Sequence, residues 1–105
     1  MYLRVLALAP DDYAATINFG ELLMRRHRYD EAVVRLEKAV KVEPELAYGH
    51  YSLAMCYMAL SRWNAAETEL QEVMRLDPVD ADASEWLSWL KNGRSGQMPE
   101  RSGVE

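Results

Sequence analysis

Val5-Leu-Ala-Leu-Ala-Pro10, Val40-Lys-Val-Glu-Pro44 and Met74-Arg-Leu-Asp-Pro78 are apolar-rich phrases that each close on a proline, and the prolines stand 34 residues apart, twice over. A period of this size marks a chain of stacked supersecondary units, none able to bury its apolar face alone. Stacks of that kind present an extended surface. The repeat therefore points to binding and leaves open what is bound.

Outward from the prolines, apolar residues recur at helical spacing. Ile17, Phe19, Leu22 and Leu23 predict a helix over about 12–26, and Ala32, Val33, Leu36, Ala39 and Val40 a second over 30–42. Leu53, Ala54, Tyr57 and Leu60 predict a third over 46–60. Ala66, Leu70, Val73 and Met74 predict a fourth over 64–76; Ala83, Leu87 and Leu90 predict a fifth over 80–91. Asp30 and Asn64 are good N-cap types, and Asn64 with Glu67 has capping-box spacing. Pro44 and Pro78 lack the amide donor that a continuing helix needs. Arg25-Arg26-His27-Arg28 falls at a tight turn, beside a helix C-terminus where cations are favoured. Joints this short force neighbouring helices to run antiparallel and side by side. The predicted fold class is all-α, antiparallel helical hairpins stacked into a short right-handed α-solenoid.

The 105 residues allow one small domain, and half of them are hydrophobic, so the chain is expected to fold. A net charge of −5 argues against nucleic acid, whose phosphates call for clustered Lys and Arg. A single cysteine, Cys56, rules out an internal disulfide framework and suits a reducing, cytoplasmic compartment. It lies in an apolar helical stretch as a buried, inert thiol, with His50 six residues away on a poorly matched face. No stretch approaches the roughly 20 apolar residues of a membrane span. Residues 1–10 faintly imitate a signal peptide, with Ala7-Leu-Ala9 like a cleavage site, but they are too short and read as a helix end. No cofactor is implied: the chain has no glycine-rich phosphate loop, and His27 and His50 sit on separate helices without ligands at metal spacing. Glu67, Glu69 and Glu72 read as solvent-facing charge beside Arg or Lys neighbours. An enzyme is the remotest of the functional classes.

Helical hairpins repeated every 34 residues with a closing proline resemble the tetratricopeptide repeat, whose signature is W-x₂-L-G-x₂-Y, then A-x₃-F, then P. The first full unit matches at Thr16, Phe19, Gly20, Leu23, Ala32, Leu36 and Pro44. The second matches at His50, Leu53, Ala54, Tyr57, Ala66, Leu70 and Pro78. Between the units Met24/Met58, Arg28/Arg62, Ala32/Ala66, Leu36/Leu70 and Pro44/Pro78 are identical, and three of these five pairs fall on signature positions. Small residues at Gly20, Ala32, Ala54 and Ala66 would let paired helices approach closely. The resemblance divides the chain into the end of a partial unit (1–10), full units (13–46 and 47–80), a final capping-type helix (81–91) and a disordered tail or linker (92–105). Residues 1–9 would form a raw apolar edge.

The resemblance also implies a concave groove lined by the first helix of each hairpin, where partners dock. Its lining would be Ala14, Ile17, Asn18, Glu21, Met24 and Arg25, then Tyr48, Tyr51, Ser52, Met55 and Met58, then Asp82, Glu85, Trp86 and Trp89. One subclass grips chaperone C-terminal carboxylates with a Lys/Asn/Asn/Lys/Arg set. Ile17, Glu21, Ser52, Asp82 and Trp86 stand in those places, so a clamp of that type is not expected. The candidate partner-binding residues are Asn18, Glu21, Tyr48, Tyr51, Met55, Met58, Trp86 and Trp89. Tyr and Trp are enriched at interface hot spots and Met adapts to irregular apolar surfaces. The competing reading is that much of this stripe is core. Trp86 and Trp89, with Leu87 and Leu90, make the last helix apolar on nearly every side, so both are expected to touch a partner unless the chain itself buries them.

The leading expectation is a non-catalytic protein–protein interaction module that takes a peptide or partner segment in this aromatic and methionine-lined groove. The alternative is an assembly module that self-associates into a homo-oligomer through its N-terminal edge and apolar last helix.

Overall fold

Asp12 opens the first helix by accepting the Ala15 amide on Oδ1 at 2.8 Å, while the Thr16 hydroxyl donates to the Asp12 carbonyl at 2.7 Å. In the computed structural model, which describes residues 12–94, five helices follow: α1 (Tyr13–Arg25), α2 (Tyr29–Val42), α3 (Ala47–Ala59), α4 (Trp63–Leu76) and α5 (Ala81–Lys91). No strand occurs among the described residues. The expected partial unit at 1–10 and most of the expected tail lie outside the described residues. Each of the five predicted helices is present, with ends within one residue of expectation.

The caps differ from expectation. Asp30 and Asn64 lie inside α2 and α4, whose N-caps are Arg28 and Arg62, with no side-chain cap bond at either. The reason is the turn before each helix. His27 N–H donates to Met24 O at 2.9 Å and Arg28 N–H to Leu23 O at 2.9 Å; Ser61 and Arg62 repeat this with Met58 O and Tyr57 O at 3.0 and 2.8 Å. These paired bonds form a Schellman ending, with His27 and Ser61 in the left-handed region (φ 60° and 59°). Arg28 and Arg62 are therefore the last residue of one helix ending and the N-cap of the next helix at once. Their carbonyls accept the first helical bonds, from Ala32 and Ala66 at 3.0 Å. No room remains for a capping residue further on. The Arg25–Arg28 cluster thus sits at the tight turn the sequence predicts.

Each hairpin closes on small residues. A Cβ on Gly20 would lie 2.8 Å from Leu36 Cδ2, so α1 and α2 touch where glycine removes the side chain. In the second hairpin Ala54 holds the corresponding place, and Ala54, Ala66 and Leu70 are fully enclosed. The core runs continuously through the stack from Ile17 and Leu36 through Leu53 and Leu70 to Ala83 and Leu90. Consecutive helices pack on one another and α1 also touches α3, which places α1 and α3 side by side on one face of the array.

Candidate partner-binding groove

The seam between α1 and α3 is organised by one carboxylate. Glu21, half-buried on α1, accepts on Oε2 from the Tyr48 hydroxyl and from Ser52 Oγ at 3.3 Å, both on α3. Tyr48 and Ser52 lie on one face because residues four apart on a helix are neighbours. Tyr48 keeps 47 % of its surface exposed. Beneath it, the Tyr13 hydroxyl abuts Gly49, where a Cβ would come within 2.9 Å of it. Burial raises the Tyr13 hydroxyl above its ordinary pKa, and the negative surroundings of Tyr48, Glu43 and Glu21 add to the shift.

The eight candidate residues divide into two groups. Asn18, Glu21, Tyr48, Met55 and Trp89 keep surface: Tyr48 is exposed and the other four are half-buried. Tyr51, Met58 and Trp86 do not, being only 6 %, 9 % and 7 % exposed and part of the core. The difference follows from helical phase: Tyr51 stands where Ile17 stands one unit earlier, and both are covered by the stack. Trp86 is covered by its own chain, whereas Trp89 keeps part of its surface. Trp89 packs edge-to-face on Trp86 and on Trp63 of α4, with ring centroids 5.8 and 6.1 Å away, so it belongs to an aromatic cluster at the C-terminal end of the stack. Arg94 lies over the Trp63 ring at 4.8 Å and extends that cluster.

Two buried polar side chains of α3, His50 and Cys56, have partners within the fold. Glu69, read from sequence as solvent-facing charge, instead reaches His50 Nδ1 at 2.7 Å, while His50 Nε2 lies 2.9 Å from the Pro44 carbonyl. His50 is buried, so this contact ties α3 to α4 and to the preceding loop. The pairing spans 19 residues and two helices, and no local motif announces it. Glu72 does pair with Arg75, as expected of surface charge. Cys56 is fully enclosed, donates to the Tyr29 carbonyl at 3.2 Å, and is pushed up to about 11 by burial, with Asp30 adding and Arg62 opposing. A thiol so placed is a poor nucleophile. Among the described residues no group of three or more His, Cys, Asp and Glu could hold a metal, and no helix is long and apolar enough to cross a membrane.

A concavity of about 600 Å³ opens between α1 and α2, lined by Phe19, Leu22, Leu23 and Val34 and rimmed by Arg26, Arg28, Glu31 and Arg35. Val34 is 64 % exposed there, and Arg35 covers the Phe19 ring at 4.9 Å.

This architecture has counterparts among known proteins. The first tetratricopeptide domain of Spaghetti (RPAP3), solved with an HSP90 peptide, superposes with a TM-score of 0.84 at 16 % identity, covering 89 % of this chain and 74 % of that one. A MamA crystal structure superposes with a TM-score of 0.81 at 25 % identity, over 89 % of this chain and 54 % of MamA. In sequence, the Hsp70-Hsp90 organizing protein of Triticum aestivum is 30 % identical over 73 residues, which are 70 % of this chain and 13 % of that protein. The chain thus spans only a small part of this relative's length. The family model for the tetratricopeptide repeat matches residues 23–90. With the hairpins, the Schellman turns and the small-residue contacts repeating on the same period, the chain belongs to the tetratricopeptide repeat family.

Proposed function

We propose that the chain is a non-catalytic protein–protein interaction module that docks a peptide or partner segment along the face built by α1 and α3 and continued by α5. The observation that carries this reading is the Glu21–Tyr48–Ser52 cluster. It holds an exposed tyrosine ring and an oriented carboxylate on two rigid helices, beside half-buried Met55 and Asn18. A pre-ordered aromatic and polar surface binds with little ordering cost. The groove residues proper are then Asn18, Glu21, Tyr48, Met55 and Trp89, while Tyr51, Met58 and Trp86 support them from the core. The names of the relatives point toward chaperone peptides, but the five clamp positions do not. Glu21 is a carboxylate, and Ile17, Ser52 and Trp86 are buried, so we place this chain outside the carboxylate-clamp subclass.

The test is a peptide selected from a display library against the wild-type chain. Tyr48→Ala with Met55→Ala should abolish its capture while leaving the helical circular dichroism intact. Undiminished capture would move the site elsewhere.

A second reading is favoured by the exposed Val34 and the apolar concavity around Phe19 and Leu22: self-association through the α1–α2 edge. Light scattering over roughly a hundredfold dilution separates the two readings. A dimer that Val34→Glu dissociates would support assembly, and a monomer throughout would remove it.

A further inference from the structure

We infer that the groove selects a cationic partner segment, one bearing lysine or arginine beside an apolar anchor, and that Glu21 does the selecting; this rests on the groove reading above. The Tyr48 and Ser52 hydroxyls both engage Oε2 of Glu21. They orient the carboxylate without neutralising it. Among the described residues no Lys or Arg pairs with Glu21, and no donor reaches its Oε1. An ionised carboxylate accepts about four hydrogen bonds, so this oxygen has capacity for donors from outside the fold.

An ammonium or guanidinium group fits the site in two respects: it supplies opposite charge, and it supplies donors for Oε1. Met55, three residues beyond Ser52 on the same helix, is half-buried and offers an apolar neighbour for the stem of such a side chain. By the 34-residue register Glu85, exposed on α5, stands at the place that Ile17 and Tyr51 hold in the earlier helices, so the last helix adds a second carboxylate of the same sign. An acidic segment would meet like charge at Glu21 and Glu85, and a basic one would meet complementary charge there.

Two fluorescein-labelled amphipathic peptides test this by anisotropy. They share the same leucine and tryptophan positions; one carries lysine and arginine between them, the other glutamate. The cationic peptide is expected to bind the wild-type chain roughly five- to tenfold more tightly at low ionic strength, with the gap closing as salt is added. Glu21→Gln should bring the two peptides close to parity while the cationic one still binds through its apolar anchors. Glu85→Gln, on a different helix, should narrow the gap in part and supplies the readout if Glu21→Gln fails to fold. Equal binding of the two peptides, or tighter binding of the glutamate peptide, overturns cationic selection and leaves the groove standing. If the wild-type chain binds neither peptide, the groove reading fails and this inference fails with it.

Discussion

Cys56 shows how enclosure decides the chemistry of a single residue. Its sulfur has no exposed surface, and its thiol is raised to about 11, chiefly by burial. A disulfide-exchange reagent at about pH 8 should leave the native chain unlabelled and label it fully in denaturant; rapid native labelling would contradict the enclosure. The same shift fixes a sign for stability. Because the folded thiol holds its proton above the unfolded value of 9.0, its contribution is complete below that pH and is lost as the pH climbs toward about 11. Tyr57 acts in the same direction, its hydroxyl raised by burial first and then by its hydrogen bond to Glu37. Thermal melts should therefore shift to lower temperature between about pH 9 and pH 11. Gly20 illustrates packing at the same scale. Gly20→Ala gains about 1 kcal/mol of helix propensity, yet its Cβ would press on Leu36, which is fully enclosed and cannot withdraw. Overpacking costs about 1–3 kcal/mol, so a net loss near 1 kcal/mol is expected in a denaturant titration.

At the scale of the element, helix ends carry most of the information. α1, α3 and α5 all close in Schellman motifs, with His27, Ser61 and Gly93 in the left-handed position. Gly93 adopts it without penalty, whereas Ser61 at φ 59° bears the crowding of its Cβ. Ser61 is exposed, so Ser61→Gly should stabilise the chain by about 0.5–1 kcal/mol, read as a higher melting temperature. At the other end of a helix, Asp80 Oδ1 accepts the Ala83 amide at 3.0 Å and starts α5. Asp80→Ala should cost about 1 kcal/mol. Because α5 carries Trp89 against Trp63 and Trp86 against Trp89, the loss should appear as a change in tryptophan emission before the other helices melt. An unchanged emission on heating would show that the aromatic cluster, rather than the cap, holds α5.

At the scale of the whole molecule, the units are joined by a few long-range contacts as well as by apolar packing. The Tyr57 hydroxyl donates to Glu37 at 2.7 Å across the boundary between hairpins, and Arg62 reaches Asp30 at 3.4 Å over the same boundary. Glu37 is exposed, so Tyr57→Phe strands no buried acceptor and should cost about 1 kcal/mol. Adding Glu37→Ala to that variant should cost little more, since the two residues share one bond. The sequence by itself determined the period, the five helices, the small residues at the hairpin contacts and the family, because these are set by spacings within one or two turns and by their recurrence every 34 residues. Only the tertiary structure decided which aromatic residues face solvent. Tyr48 and Tyr51 are alike in type and three residues apart, yet one is exposed and the other is core, and the stack that covers Tyr51 is assembled from other helices. The tertiary structure likewise brought Glu21 to Tyr48, 27 residues away, and Glu69 to His50. It also moved the N-caps from Asp30 and Asn64 to Arg28 and Arg62, by making each helix ending the start of the next helix. Periodicity records how a helix contacts itself; exposure and pairing depend on what a neighbouring helix places opposite, and that is settled only when the helices dock.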